Sequence, residues 1–401
     1  MRPAQLSPPG RDGSIDALRV AAVIGVVSGH WLVTAVVVGD YGLAVTSPLR
    51  HLPDLAPLTW VLQALAPFFC AAGFAATRAL EGGQRWRQWA SARVGALLPA
   101  VGTLLACWTV LLGVLLLSGF AFAEVRSLGK LVVGPLWFLA VLAVLWASWP
   151  ALDWLDRRLR GWAVLAPAAV VGFDDLVWLG DLPVGPAAQS VIGVIGTVCA
   201  WAVPFLFGIR LARGGGPSRT GGLLMALAGM AAMATLILVL GYPASAVGVT
   251  GGVRSNLTPP SLYVLALGAV QLGLFVILRP AAGAVATPSP RLARWNTLAL
   301  PVFLWHQSAL ILVLVASAEW MPLVGLTGRP DTFSWVLLRL AWFPVLVLVL
   351  ACLVRLIAQR RLRPLRCCGT GRATRPDVGR HCLGIRLEGR GRQERRRVRR
   401  R

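Results

Sequence analysis

The stretch SIDALRVAAVIGVVSGHW, Ser14 to Trp31 and running on to about Val38, is apolar for the length a bilayer crossing needs, yet it carries Arg19 and His30. Eleven residues at about 100° each make roughly three turns, so both side chains fall on one face of a helix, about 16 Å apart along its axis. A central arginine costs roughly 2.5–3.5 kcal/mol to insert into lipid, so such groups turn toward a protein interior or a wet cavity. Two explanations compete for Arg19: a functional contact, or snorkelling from the helix start with Asp16 as its i−3 partner. His30 lies too deep to reach water that way. It must find a partner inside a bundle, which makes it the first candidate for chemistry.

Working outward, apolar runs recur over nearly the whole chain. Of 401 residues, 57% are hydrophobic and 14% charged, and the mean hydropathy of +0.70 excludes an ordinary soluble domain. Ten spans are expected, at roughly 15–38, 57–77, 94–118, 131–149, 162–179, 187–209, 222–241, 259–278, 297–316 and 333–354. The fifth is interrupted by Asp174 and Asp175 and is expected to be short, tilted or re-entrant. Pro67, Pro99, Pro135 and Pro204 fall inside spans, where lipid-embedded helices tolerate kinks that open space for a cavity. The fold class is therefore all-α: a polytopic membrane protein of about ten transmembrane helices. Met1 to Gly13 bears Pro, Gly and Arg, and no small-residue cleavage site follows the apolar segment, so the first helix is expected to stay in the membrane.

The net charge of +23 suggests nucleic acid until its distribution is read. Residues 355–401 hold seventeen Arg against one Asp and two Glu, which is +14 of the total. In the short loops the cations report orientation. With both termini cytoplasmic and the tail set aside, fifteen Arg fall on inner segments, while Arg50, Arg126, Lys130, Arg254 and Arg329 fall outside. No nucleic-acid partner is expected; the partner of this surface is the lipid bilayer. Residues 1–14 read as a disordered cytoplasmic segment, 15–357 as the transmembrane domain and 358–401 as a basic disordered cytoplasmic tail. Cys70, Cys107, Cys199 and Cys352 lie in apolar spans as small hydrophobes and imply no disulfide framework. Cys367-Cys368 and His381-Cys382 in the tail lack zinc-motif spacing, so no metal is expected.

A second buried imidazole, His306, falls near the middle of the ninth span with Gln307 beside it, in Leu300-Pro-Val-Phe-Leu-Trp-His-Gln-Ser308. Two midplane histidines suggest a shared polar cavity; the alternative is a histidine that only fixes helix packing. Arg93 stands at the cytoplasmic entrance of the third span. Topology alone explains it, yet a planar guanidinium facing the same vestibule as Arg19 would suit phosphate. Trp137, after the Gly134-Pro135 kink, is either an aromatic-belt residue or a ligand wall.

Taken together, Ile15-Asp-Ala-Leu-Arg19 with His30, Ala66-Pro-Phe-Phe-Cys-Ala-Ala-Gly-Phe74, Arg93 with Leu97-Leu98-Pro99, Gly134 to Leu139, Trp201 to Gly208 and Val302 to Gln307 resemble the motifs of the acyltransferase-3 family of integral-membrane acyltransferases. The resemblance covers about residues 14–357. Ala96 stands where that family often has a second Arg. The resemblance implies a multi-pass protein of the plasma membrane that moves an acyl group from cytoplasmic acyl-CoA, a donor substrate and not a resident cofactor, to a hydroxyl of a carbohydrate or other glycosylated acceptor. It implies His30 and Arg19 as the catalytic pair, with Arg93, Trp137, His306 and Gln307 binding substrate. His30 would be the general base, Arg19 the donor's phosphate contact, and His306 with Gln307 would orient the acceptor or donate to the oxyanion. The rival reading is a proton-coupled secondary transporter using both histidines as a relay, although the halves show no inverted repeat.

Overall fold

A computed structural model describes residues 12–39, 42–180, 182–252, 254–279, 289–317 and 323–361. The chain divides into two units, Met1–Ala358 and Gln359–Arg401. Most of the second unit, including the basic tail and its cysteines, lies outside the described residues, as does the segment before Asp12. Among its described residues the first unit is mainly helical, with one two-stranded antiparallel sheet. Its helices are α1 (Gly13–Val33), α2 (Leu58–Leu62), α3 (Leu65–Glu81), α4 (Trp86–Leu117), α5 (Phe122–Val133), α6 (Trp137–Ala147) and α7 (Trp149–Leu159). They continue with α8 (Leu165–Leu179), α9 (Pro186–Ala212), α10 (Arg219–Leu238), α11 (Leu262–Leu278), α12 (Pro290–Ala316), α13 (Phe333–Ala341) and α14 (Phe343–Arg361).

Among the described residues, eight segments are long and apolar enough to cross a membrane, and the bent pair α13–α14 makes a ninth. The 17-residue α11 is a shorter apolar helix. These segments fall where hydropathy places them, because a chain in lipid must satisfy its backbone within each segment and only a helix does so alone. The protein is a multi-pass membrane protein.

Three expectations about the spans need correction. The first span ends at Val33 and does not reach Val38. Residues Ala35–Gly39 form β1, paired antiparallel with β2 (Gly42–Thr46), Val36 opposite Val45. The β-branched run Val36-Val37-Val38 prefers a pleated surface, and Gly39 pairs with Gly42 at the end of the ladder. The fifth span is not cut at Asp174 and Asp175: α8 runs through both, and each is buried against neighbouring helices. Asp175 accepts hydrogen bonds from the Tyr242 hydroxyl at 2.9 Å, Leu262 N at 2.8 Å and Arg254 at 3.2 Å. A burial-tolerant carboxylate with three donors does not have to end a helix. At the N-terminus, Asp12 caps α1 by accepting from Ser14 N at 2.9 Å, so the helix starts two residues before the expected span.

Close helix contacts are made by glycine. A Cβ on Gly73 of α3 would overlap the Phe205 carbonyl oxygen of α9, and one on Gly208 of α9 would overlap the Cys70 carbonyl oxygen of α3. Small residues let backbones meet where lipid supplies no hydrophobic drive between helices.

Connections gather at two ends of the bundle. At one end Arg279 pairs with Asp12, Asn296 Nδ2 donates to Asp16 O at 3.3 Å, and Arg213 pairs with Glu81 at 2.9 Å, Asp156 at 2.7 Å and Asp153. At the other, Leu43 N donates to Glu124 at 2.7 Å, Trp60 Nε1 to Ala244 O at 2.8 Å, and Ala246 N to Thr59 Oγ1 at 2.9 Å. His30 lies toward the second end.

Candidate active site

Proline breaks two helices beside His30. Pro67 has no N–H for the Gln63 carbonyl one turn back, so the α2–α3 segment breaks at Gln63-Ala64. Gln271 Nε2 donates to two carbonyls at the break, at 2.8 Å from Trp60 O and 2.8 Å from Gln63 O. At Gly134-Pro135 a short 3₁₀ turn separates α5 from α6 and sets Trp137 and Phe138 at the start of the new helix. Gly25 and Gly29 on α1 leave room for the α2–α3 break, whose Leu62 and Ala64 side chains sit where a Cβ would make its nearest contacts.

The result is a cavity of about 260 Å³ lined by His30, Gln307 and Trp137. Gln63, Lys130, Phe138 and Phe303 also line it; Lys130 reads in the sequence as a marker of topology and the two phenylalanines as parts of motifs, and none of the four is a site candidate there. His30 Nδ1 lies 2.7 Å from His306 Nε2, and His306 Nδ1 lies 2.5 Å from the Phe303 carbonyl oxygen. These two bonds fix the tautomers of a neutral pair. A carbonyl only accepts, so His306 carries its proton on Nδ1 and its Nε2 is an acceptor. His30 must then donate from Nδ1, which leaves its Nε2 with a free lone pair. No hydrogen bond to that nitrogen is made among the described residues. Trp31 Nε1 donates to the His306 carbonyl at 2.9 Å and Trp108 Nε1 to Ser308 Oγ at 2.8 Å, so α1, α4 and α12 hold the pair in place.

The other expected residues divide. His306 is 1% exposed and does not line the cavity; both its ring nitrogens are engaged, so it stands behind His30 as seen from the cavity. Gln307 and Trp137 do line it. Arg19 is partly buried and does not line the cavity; its Cζ is 6.0 Å from the Phe68 ring, which meets the cavity-lining Phe138 edge-on at 4.7 Å. Arg93 is exposed over Trp89 at 5.6 Å and is not brought to the cavity. One further cation went unnoticed in the sequence. Arg339, 0% exposed in α13, donates to the carbonyl of Thr34, the residue that closes α1, at 2.9 Å. Its signal was available, because an arginine inside an apolar run is itself conspicuous.

Chemically, an imidazole with a free lone pair at the wall of a largely apolar cavity, its other nitrogen anchored, is arranged to take a proton from a bound hydroxyl. Comparisons with curated proteins and with solved structures returned no match. The family model described as an acyltransferase domain matches residues 12–358, which include both histidines, the cavity and every helix that builds them. A membrane-embedded site of this kind and a match over nearly the whole helical unit make the chain a member of the acyltransferase-3 family, and the protein is a membrane acyltransferase.

Proposed function

We propose that the protein transfers an acyl group from acyl-CoA to a hydroxyl of a carbohydrate-like acceptor, with His30 as general base. The observation that carries this reading is the chain His30–His306–Phe303, which leaves His30 Nε2 bare beside the cavity. The acceptor hydroxyl gives its proton to that nitrogen as its oxygen attacks the thioester carbonyl. The resulting imidazolium still donates from Nδ1 to His306, so the pair holds its geometry through the proton transfer. The Gln307 amide, adjacent in the lining, is the candidate donor to the tetrahedral oxyanion. Collapse expels the thiolate of coenzyme A, and His30 returns the proton to it.

The two substrates meet from opposite ends. From α1 the cavity takes Val26, Gly29, His30 and Val33, all in the C-terminal part of the helix, with Thr34 just beyond it, whereas Arg19 lies about 16 Å from His30 toward the helix start. With a cytoplasmic N-terminus, Arg19 is the donor's first contact and the cavity opens toward the outer face for the acceptor. The long pantetheine arm suits that separation, since it carries a thioester far from its phosphates.

Membranes containing the His30→Gln protein, supplied with labelled acetyl-CoA at matched expression, provide the test. Loss of acyl transfer by about 10²-fold or more with normal insertion supports the assignment; activity within about threefold of the parent protein removes it.

A further inference from the structure

The cavity carries a charge pattern that acyl transfer alone does not require. Lys130, near the end of α5, belongs to its lining, and no carboxylate lines it among the described residues. Nor does any described residue hold the Lys130 ammonium in a hydrogen bond or ion pair. Glu124, the acid on the same helix, is engaged by the backbone instead, accepting from Leu43 N at 2.7 Å and Ala121 N at 2.9 Å.

Two amides in the lining are also incomplete. Gln63 Nε2 and Gln307 Oε1 have no hydrogen-bond partner, although the residues are only 6% and 5% exposed. Buried polar atoms are ordinarily paired, so these two residues bring spare hydrogen-bonding capacity to the cavity lining. Trp137 and Phe138 give the same cavity flat apolar walls. One cation, two amides and aromatic faces describe the complement of a small ring that bears hydroxyls and a negative charge.

We infer that the acceptor is an anionic, sugar-sized molecule, with a carboxylate or phosphate near the acylated hydroxyl, and that Lys130 selects it. The inference rests on the reading of His30 as the base of acyl transfer. Lys130 is exposed, so its selectivity comes from a direct charge-assisted contact that a neutral ring cannot make, and discrimination against a neutral ring follows. The phosphates of coenzyme A offer the same chemistry. They are the alternative source of the anion, and the test separates the two.

Diethyl pyrocarbonate modifies a neutral imidazole, and His30 presents the free nitrogen beside the cavity while His306 does not line it. With the purified full-length protein, modification of the His30 peptide is followed by mass spectrometry in the presence of glucuronate, glucose 6-phosphate, glucose, glucosamine or coenzyme A. The two anionic sugars are expected to protect at concentrations about tenfold lower than the other two, the ratio a single charge-assisted contact supplies. In Lys130→Gln that preference should shrink to about twofold or less, the residue of a lost charge contact. Equal protection by neutral and anionic sugars, protection by no sugar, or Lys130-dependent protection by coenzyme A alone would each overturn the inference. Failure of the parent reading shows elsewhere, as acyl transfer retained in His30→Gln, with the protection pattern left intact.

Discussion

His30 and His306 stand 276 positions apart in the chain, and a 2.7 Å hydrogen bond joins their imidazoles. The next side chain along α1, Trp31, bonds the backbone carbonyl of His306 at 2.9 Å. The two helices are thus pinned at one level by a side-chain bond and by a bond to the main chain, and His30 is held from behind by a residue that does not line the cavity. The arrangement has the logic of an orienting group behind a catalytic histidine, with a neutral imidazole in place of the carboxylate.

Replacing His306 should therefore act on turnover and leave substrate affinity largely alone. His306→Leu removes the acceptor for His30 Nδ1, freeing the ring to adopt the other tautomer, and should lower kcat by about 10²-fold with little change in either KM. His306→Gln can still accept through its amide oxygen and should recover part of the loss. Steady-state kinetics of both variants checks this, and equal activity of the two would argue for a packing role alone.

Arg19 should serve the donor. Arg19→Lys keeps the charge and loses the planar fork, so apparent acyl-CoA affinity should weaken by about tenfold, with a smaller change for the acceptor. Kinetics with each substrate varied in turn gives the answer. A shift confined to the acceptor would withdraw the donor role.

Arg339 should matter for the end of α1, one turn beyond His30. Its guanidinium donates to Thr34 O at 2.9 Å, where a cation complements the carbonyl end of a helix, and its Cζ sits 4.7 Å from the centre of the Trp335 ring. Arg339→Met loses a charge-assisted hydrogen bond of about 1.5–3 kcal/mol, partly offset because Nε and Nη1 have no partners to lose. A lowered melting temperature in detergent is the expected result, together with a fall in kcat that Arg339→Lys partly reverses. Unchanged stability would show that α1 ends where it does without this contact.

Gly208 should tolerate no side chain. A Cβ there meets the Cys70 carbonyl of α3, backbone that cannot swing aside, so Gly208→Ala must part α3 from α9 and should destabilise by about 1–3 kcal/mol or more. Gly113 in α4 has nothing within 4 Å of its Cβ position, and Gly113→Ala should be neutral or stabilising by up to about 1 kcal/mol. Thermal unfolding of the pair in one detergent is the measurement, and similar values for both would contradict the close approach.

The amino-acid sequence alone determined the membrane architecture, because the cost of leaving backbone and charge in lipid is local and every span must meet it by its own composition. For the same reason His30 and His306 were visible as outliers before any contact was known. Their partners were not. Helices that are apolar all round carry no stripe to say which face meets which neighbour, so only the tertiary structure could bring Nδ1 of one ring to Nε2 of the other. The same blindness hid Gln63, an ordinary amide until the Pro67 break turned its segment to the cavity, and Lys130, which counted only as a topology marker until α5 brought it to the lining. Arg93 shows the converse: its motif position drew attention, but it is exposed and does not line the cavity that residues of α1, α2, α3, α5, α6 and α12 enclose. Composition settles which segments lie in lipid, whereas the site depends on which faces pack together, and that is decided by glycine contacts and proline breaks acting between segments far apart in the chain.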